Sequence, residues 1–452
     1  MTFNIDNIRS RFPALSGGYI FADNAGGSQC TGTVIDSIVD YLTNSNVQLG
    51  ADYSIGVRST NRVALGPIAT SFLVNASSPS EIIFSNSSTQ LAENLARALE
   101  AKISSQDEFI TTLEHETNVG PWHRLAQRTK CKAHLWRPSI LEANNGREEN
   151  KYAVGYDIKN LIPLLNAKTR LVAISACSNI LGHFTDVKEV VKTIRQVVQE
   201  KSGGQGKVEV VVDCVAYAPH RRIDVQDWDV DYAFFSYYKV YGPHCAAMYI
   251  RQSSMQNSLQ SIAHYFINDP ANQFQLGGPG YELTYSISWV LQYLMAISRP
   301  SLDQGVSPEK LLGSKDMENA LPILDSSFSL IESHESLLVQ RLLSFLTSQR
   351  QWDRGIRIVG SDKPDRRAPT ISFVVTVGKN GEPAMRSRDV VNAVDKLGGI
   401  GIRFGHFYAA RLIDALGLPP DDGVIRVSLV HYNTLDEVDR IIKALQSVIL
   451  TE

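Results

Sequence analysis

Five apolar runs in this 452-residue chain each lead into a polar residue that could do chemistry. VEVVV ends at Asp213, RLVAIS leads to Asn179, EIIFS leads to Ser88 and Thr89, EFITTLE ends at His115, and YAFFS leads to Lys239. In open α/β sheets ligands bind beyond the carboxyl ends of the strands, so polar residues that close apolar runs are the first to inspect. A buried aspartate at such an end could pair with a pyridine nitrogen and keep the ring protonated, so that it draws electrons from an attached carbon. Asp213 has that placement. A lysine in the loop after the next strand, Lys239, could form the Schiff base that covalent amine catalysis requires. Each residue also has a plain structural reading: a strand-end aspartate usually caps a turn, a loop lysine is usually solvated, and Ser88 and Thr89 could be helix caps.

The elements that must position these residues alternate along the chain. TVIDSIVDYLTN reads as an amphipathic helix, EIIFSNSS as a strand entering a polar turn, and QLAENLARALEAKI as a helix with one apolar face. The alternation continues through EFITTLEHET, RLVAISACSN, KEVVKTIRQVVQE, VEVVVDCVAYA and VDYAFFSYYK, whose short apolar runs suit a parallel sheet covered on both faces. A doubly wound α/β domain is expected over residues 19–290. Beyond it, SPEKLLGSKDMENALPILDSSFSLIESHESLLVQRLLSFLTSQ is largely helical, then GIRIVG, TISFVVTV and GVIRVSLV are strands between helices. A smaller α+β domain is therefore expected over 291–452. Residues 1–18, with helical spacing of Ile5, Ile8 and Phe12, are expected to pack on it.

The length suits two domains rather than one core. A hydrophobic content of 43%, a charged content of 20% and a net charge of -3 exclude a disordered chain and give no basic field for nucleic acid or an anionic membrane. The cysteines, at 30, 131, 177, 214 and 245, are odd in number and scattered, with no spacing that reads as a metal site. No secretory leader or membrane-length apolar run is read, and a cytoplasmic location is expected.

Order and spacing carry a resemblance that no single motif carries. With EHETNVGPW around His115, VDCVAYAPHRRIDV around Asp213, SYYKVYGPH around Lys239, and IRVSLVHYNTLDEVDRI near the end, the chain resembles the class V aminotransferases of cysteine desulfurase-like type. The likeness spans roughly residues 19 to 445. It implies a fold-type I α/β enzyme with a mainly parallel seven-stranded sheet, pyridoxal 5'-phosphate (PLP) as cofactor, an amino-acid substrate and a homodimer. Lys239 would carry the cofactor and move the Cα proton, Asp213 would face the pyridine nitrogen, and His115 would stack on the ring. Asn179 would reach the phenolic oxygen. Ser88 and Thr89, at a helix N-terminus, and Ser236 would hold the phosphate. Arg426, whose planar fork suits a carboxylate, would bind the substrate, with Asn24 of DNAGGSQ and Tyr408 beside it.

Several positions depart from the family pattern. Tyr408, in IRFGHFYAARL, stands where the desulfurases of similar motif carry the cysteine that accepts sulfur, and no cysteine follows Cys245. Ala216 replaces a Gln or His near the phenolic oxygen, Tyr238 replaces the histidine before the lysine, and Gly278 stands where a threonine often reaches the partner's phosphate. His406 and Tyr408 are therefore the expected determinants of reaction outcome, while His220 and His244 have no assigned role. The leading expectation is a Cβ–S lyase that eliminates a thiol without a persulfide cysteine. An aminotransferase, a racemase or epimerase, and a carbon–carbon bond-forming enzyme are alternatives, and a non-catalytic PLP-binding scaffold is the reading of another class.

Overall fold

The computed structural model describes residues 3–141, 150–277, 280–303, 306–377 and 382–449. Its central sheet has seven strands in the spatial order Ile82–Ser85, Ala246–Ile250, Tyr232–Ser236, Glu209–Asp213, Thr169–Ser175, Glu108–Thr111, Lys132–Leu135. Ala246–Ile250 runs antiparallel to both its neighbours, and the other pairs are parallel. The three strands Glu209–Asp213, Tyr232–Ser236 and Ala246–Ile250 are buried at every residue. Both faces are covered, and the alternation shows it. Val172, Ile174, Val210 and Val212 point into one apolar cluster, while Leu171, Ala173 and Val211 point into the other.

The second sheet is antiparallel, in the order Ile356–Val359, Thr370–Val377, Val424–Ser428, Arg403–Gly405, with Glu382–Met385 added beside Thr370–Val377. Helices Ser387–Lys396 and Leu435–Ile449 contribute Val390, Val394, Val438, Ile441 and Leu445 to its core. Among the described residues no helix is long and apolar enough to cross a membrane.

The expected boundaries change in two places. A division at residue 290 would cut the helix Tyr281–Ser298, which is continuous and packs Ile287, Val290, Leu294 and Met295 into the large core. The cores change over inside the helix Ala320–Leu346: Leu324, Phe328 and Ile331 belong to the large cluster, Leu338, Leu342 and Leu346 to the small one. At the N-terminus the segment divides between the two cores. Ile8, Phe12 and Leu15 join the large core, whereas Ile20 and Ala22 join the small one, because Ile20–Phe21 pairs in parallel with Ile400–Gly401. Arg9 still reaches across to the Tyr432 carbonyl and to Glu437.

Candidate active site

The register of the parallel strands sets Ser175 beside Asp213 and Asp213 beside Phe234, so the loops that follow converge at one end of the sheet. Tyr232–Ser236 passes into a single tight turn, Tyr237–Lys239, which folds Lys239 back toward Asp213. A cavity of about 420 Å³ opens there, within the range that holds a cofactor-sized ligand. Lys239, Asp213, His115 and Asn179 line it, as do Ser88, Thr89, Ser236, Tyr238 and Tyr408. Ala216 lines it too.

Burial sets the charge states. Lys239 is 7% exposed, and desolvation followed by the nearby Arg426 brings its ammonium down to about 8, against a smaller opposing pull from Asp213. Desolvation pushes the Asp213 carboxyl up to about 6, while the Val215 N–H, 2.8 Å from Oδ1, and Lys239 hold it down. For His115, burial and then Lys239 and Arg426 hold the imidazole down to about 3. Its Nδ1 accepts from the Thr117 N–H at 3.2 Å, so the ring is neutral and presents a flat face. The lysine has a direct consequence for loading. Covalent capture of an aldehyde needs the neutral amine, so the capture rate of cofactor-free protein is expected to rise tenfold per pH unit below about 8 and level off above it. Stopped-flow absorbance from pH 6 to 10 checks this; a rate still rising tenfold per unit at pH 9.5 would mean an unperturbed lysine.

At the other end of the cavity lies the N-terminus of the helix Ser88–Leu99. Ser87 caps it, accepting from the Gln90 N–H at 3.2 Å, and Thr89 and Thr117 share a hydrogen bond of 2.8 Å between their hydroxyls. The Ser236 hydroxyl is buried with no partner. Free backbone donors, hydroxyls and the helix dipole suit a phosphate. An amine, a carboxylate, a flat neutral ring and an anion-binding end thus fit a phosphorylated pyridine aldehyde. Ser87 and Thr117 escaped the sequence reading, although the cap position within SNSSTQ was a usable signal for the first.

Other assigned residues are placed differently. Arg426 does not itself line the cavity but lies behind Asn179, 1% exposed: Nη2 donates to Asp23 at 2.8 Å, Nη1 to the Asn179 carbonyl at 3.1 Å, and Nε is buried with no partner. The Phe407 ring covers its guanidinium at 3.6 Å. Asn24 does not line the cavity. Its Nδ2 donates to the Phe21 and Ser428 carbonyls, its Oδ1 accepts from the Tyr432 hydroxyl, and it ties the N-terminal turn to the small domain, which corrects its assignment to the substrate. His406 is likewise outside the lining, accepting the Tyr408 N–H on Nδ1 at 3.0 Å. His244 stacks on Tyr238 at 5.2 Å, and His220 bonds Glu335 at 2.9 Å, so both gain structural roles. Gly278 lies outside the described residues.

The segment that carries Tyr408 closes over this end. Phe407 and Tyr408 both adopt positive φ, 48° and 60°, which is costly for non-glycine residues and persists only where surrounding contacts hold it. Asn179 Nδ2 donates to the Phe407 carbonyl at 2.9 Å, and the Glu116 N–H to the Tyr408 carbonyl at 2.8 Å. Tyr408 is 66% exposed, with its ring 5.4 Å from that of His115. Cys177, not singled out beforehand, also lines the cavity; burial pushes its thiol far up, and the thiol donates weakly to the Ser178 and Gly182 carbonyls.

Comparison with known proteins gives the family and the fold. An aminotransferase-like protein of Gibberella zeae is 38% identical over 99% of both chains, and a cysteine desulfurase-like protein of Aspergillus flavus is 28% identical over 99% of this chain and 91% of that one. In fold, the chain superposes on the apo structure of a cysteine desulfurase from Thermococcus onnurineus with a TM-score of 0.77, at 20% identity and 98% coverage of each. The fold is that of the PLP enzymes of fold type I. Residues 20–303 and 313–441 match the family Aminotransferase class-V, and the chain therefore belongs to that family of PLP-dependent transferases and lyases.

Proposed function

We propose that this enzyme acts on an L-amino acid bearing sulfur on Cβ and releases it as a thiol, without forming a persulfide on the protein. One observation carries this reading: among the described residues Cys177 is the one cysteine lining the cavity, and its buried thiol is held protonated, while Tyr408 occupies the covering segment. A protonated thiol is a poor sulfur acceptor.

When bound, PLP supplies a ring that withdraws electrons from Cα. The rest is work for this chain. Lys239, whose ammonium is depressed toward neutrality, takes the Cα proton. Asp213 would hold the proton on the ring nitrogen, and His115 would stack its neutral face against the ring. Ser88, Thr89 and Ser236 would hold the phosphate, and Arg426, its fork aligned by Asp23, would offer its unpartnered Nε to the α-carboxylate. Tyr408, over His115, donates a proton to the departing sulfur.

The test is product analysis with S-methyl-L-cysteine. Methanethiol, pyruvate and ammonium in equal amounts are expected, with kcat about 10²-fold lower in Tyr408→Phe. A keto acid that keeps its sulfur would instead mean transamination, loss of chirality without products would mean racemisation, and unchanged turnover in Tyr408→Phe would remove the phenol from the chemistry. The unpaired cysteines support a reducing compartment such as the cytoplasm. A homodimer is supported by the exposed Ile35, Val39 and Leu42 on one helix and Tyr53, Ile55 and Val57 after it; sedimentation at the single-chain mass would remove that part.

A further inference from the structure

We propose that Glu114 is a positioning residue: by accepting the Ser178 hydroxyl proton it fixes the turn that carries Asn179, and through that turn it sets Arg426 and Phe407 for the substrate carboxylate. The proposal rests on the assignment of Arg426 to that carboxylate. Glu114 is 2% exposed, one residue before His115, and its side chain touches neither the cavity nor any cation. A buried carboxyl is costly unless something engages it. Here the partner is Ser178, whose hydroxyl donates to Glu114 Oε2 at 2.7 Å. The two meet because Glu108–Thr111 and Thr169–Ser175 are adjacent parallel strands, so residues just past their ends lie side by side.

Ser178 is the keystone of the turn. Its Oγ accepts the Leu181 N–H at 2.9 Å and the Ile180 N–H at 3.3 Å, and its carbonyl accepts the Gly182 N–H at 3.0 Å. With those lone pairs occupied, its hydroxyl proton has one direction left, toward Glu114. The turn then carries contacts to the small domain. Asn179 accepts from Arg426 Nη1 through its carbonyl and donates through Nδ2 to the Phe407 carbonyl, and Ile180 accepts the Ser372 hydroxyl at 2.7 Å. There is no slack: Gly182 has φ 70°, and a Cβ on it would lie 2.2 Å from the Thr370 carbonyl oxygen. A shift of the turn must therefore pass to Arg426 and to the ring that covers it.

Burial, aided by Asp213 and opposed by the Ser178 hydrogen bond and, more weakly, by the Tyr156 hydroxyl, pushes the Glu114 carboxyl up to about 7, so a neutral amide that accepts the same proton is a fair substitute. That makes glutamine the rescuing variant and alanine the disrupting one.

The experiment titrates PLP-loaded protein, followed by cofactor absorbance, with L-alanine and with ethylamine, which has the same side chain without the carboxylate. In Glu114→Ala and Ser178→Ala, L-alanine is expected to bind about tenfold or more weakly while ethylamine stays within about twofold of wild type. Glu114→Gln is expected to return L-alanine to within about threefold of wild type. Equal weakening of both ligands, no weakening, or glutamine behaving as alanine overturns the proposal, and Glu114→Met, which keeps most of the volume but cannot accept the Ser178 proton as a carboxylate does, decides it if Glu114→Ala does not fold. Arg426→Met is run in parallel. If it leaves the preference for L-alanine over ethylamine intact, the assignment of Arg426 has failed; if it abolishes the preference and the Glu114 and Ser178 variants do not, the failure is that of Glu114 alone.

Discussion

In Lys239→Ala, turnover is expected to fall by about 10⁴-fold, since one substitution removes both the covalent anchor and the base that takes the Cα proton. No other lysine lines the cavity among the described residues, so nothing in the site can inherit the task. Borohydride reduction followed by peptide mapping reads the anchor directly: the phosphopyridoxyl mass should sit on the peptide containing residue 239 in the parent and be absent from the variant. A label elsewhere, or turnover within tenfold of the parent, would displace Lys239 from the centre of the mechanism. The fold should not suffer. The depressed ammonium shows that its charged form is held at a cost, fully present below about 8 and gone above the unfolded value near 10.5. Removing the amine relieves that cost, and the cofactor-free variant should melt no lower at pH 7 than the cofactor-free parent.

Lys239 and Asp213 were legible because apolar runs end visibly, and in a parallel sheet those ends gather at one edge. The same rule found Ser88, His115 and Ser236. It failed where placement depends on contacts between distant segments. Asn24 looked like a substrate residue from its motif, but Tyr432 and the Ser428 carbonyl, which engage its amide, are brought to it only by the closed fold. Arg426 is marked by its motif, yet its ion pair with Asp23 and its cover by Phe407 follow from sheet register and a turn with two positive φ residues, neither of which has a local signal. The N-terminal segment is a similar case. Ile8 and Ile20 look alike as apolar residues, and only the pairing of Ile20 with Ile400 sends them into different cores. Glu114 and Cys177 were passed over because each sits beside a residue with a stronger claim, and period alone does not say which neighbour turns inward.

The second large effect is expected at Asp213. One of its oxygens accepts the Val215 N–H, no hydrogen bond among the described residues engages the other, and the charged groups that line the cavity with it are Lys239, Arg124 and Glu116. Asp213→Asn keeps the volume and the Val215 bond but cannot hold the proton of a ring nitrogen as an ion pair. Breaking a buried pair by removing one charge costs about 3–5 kcal/mol, which at about 1.4 kcal/mol per decade predicts a loss of ~10²–10⁴ in kcat. The pH dependence separates this from a packing defect. Because burial raises the carboxyl to about 6, a proton binds the cofactor-free parent as pH falls through that value and removes the charge, so PLP affinity should weaken from pH 7 to pH 5. The sign is fixed by the acid being neutral on the low side. In Asp213→Asn there is no carboxyl to titrate, so the contribution of this residue should vanish and affinity over the same range should be weaker and flatter. Fluorescence titration of PLP into both proteins between pH 5 and 8 measures it. Parallel curves, with the same slope in parent and variant, would mean that Asp213 supports the wall of the cavity and that the ring nitrogen is held by something else.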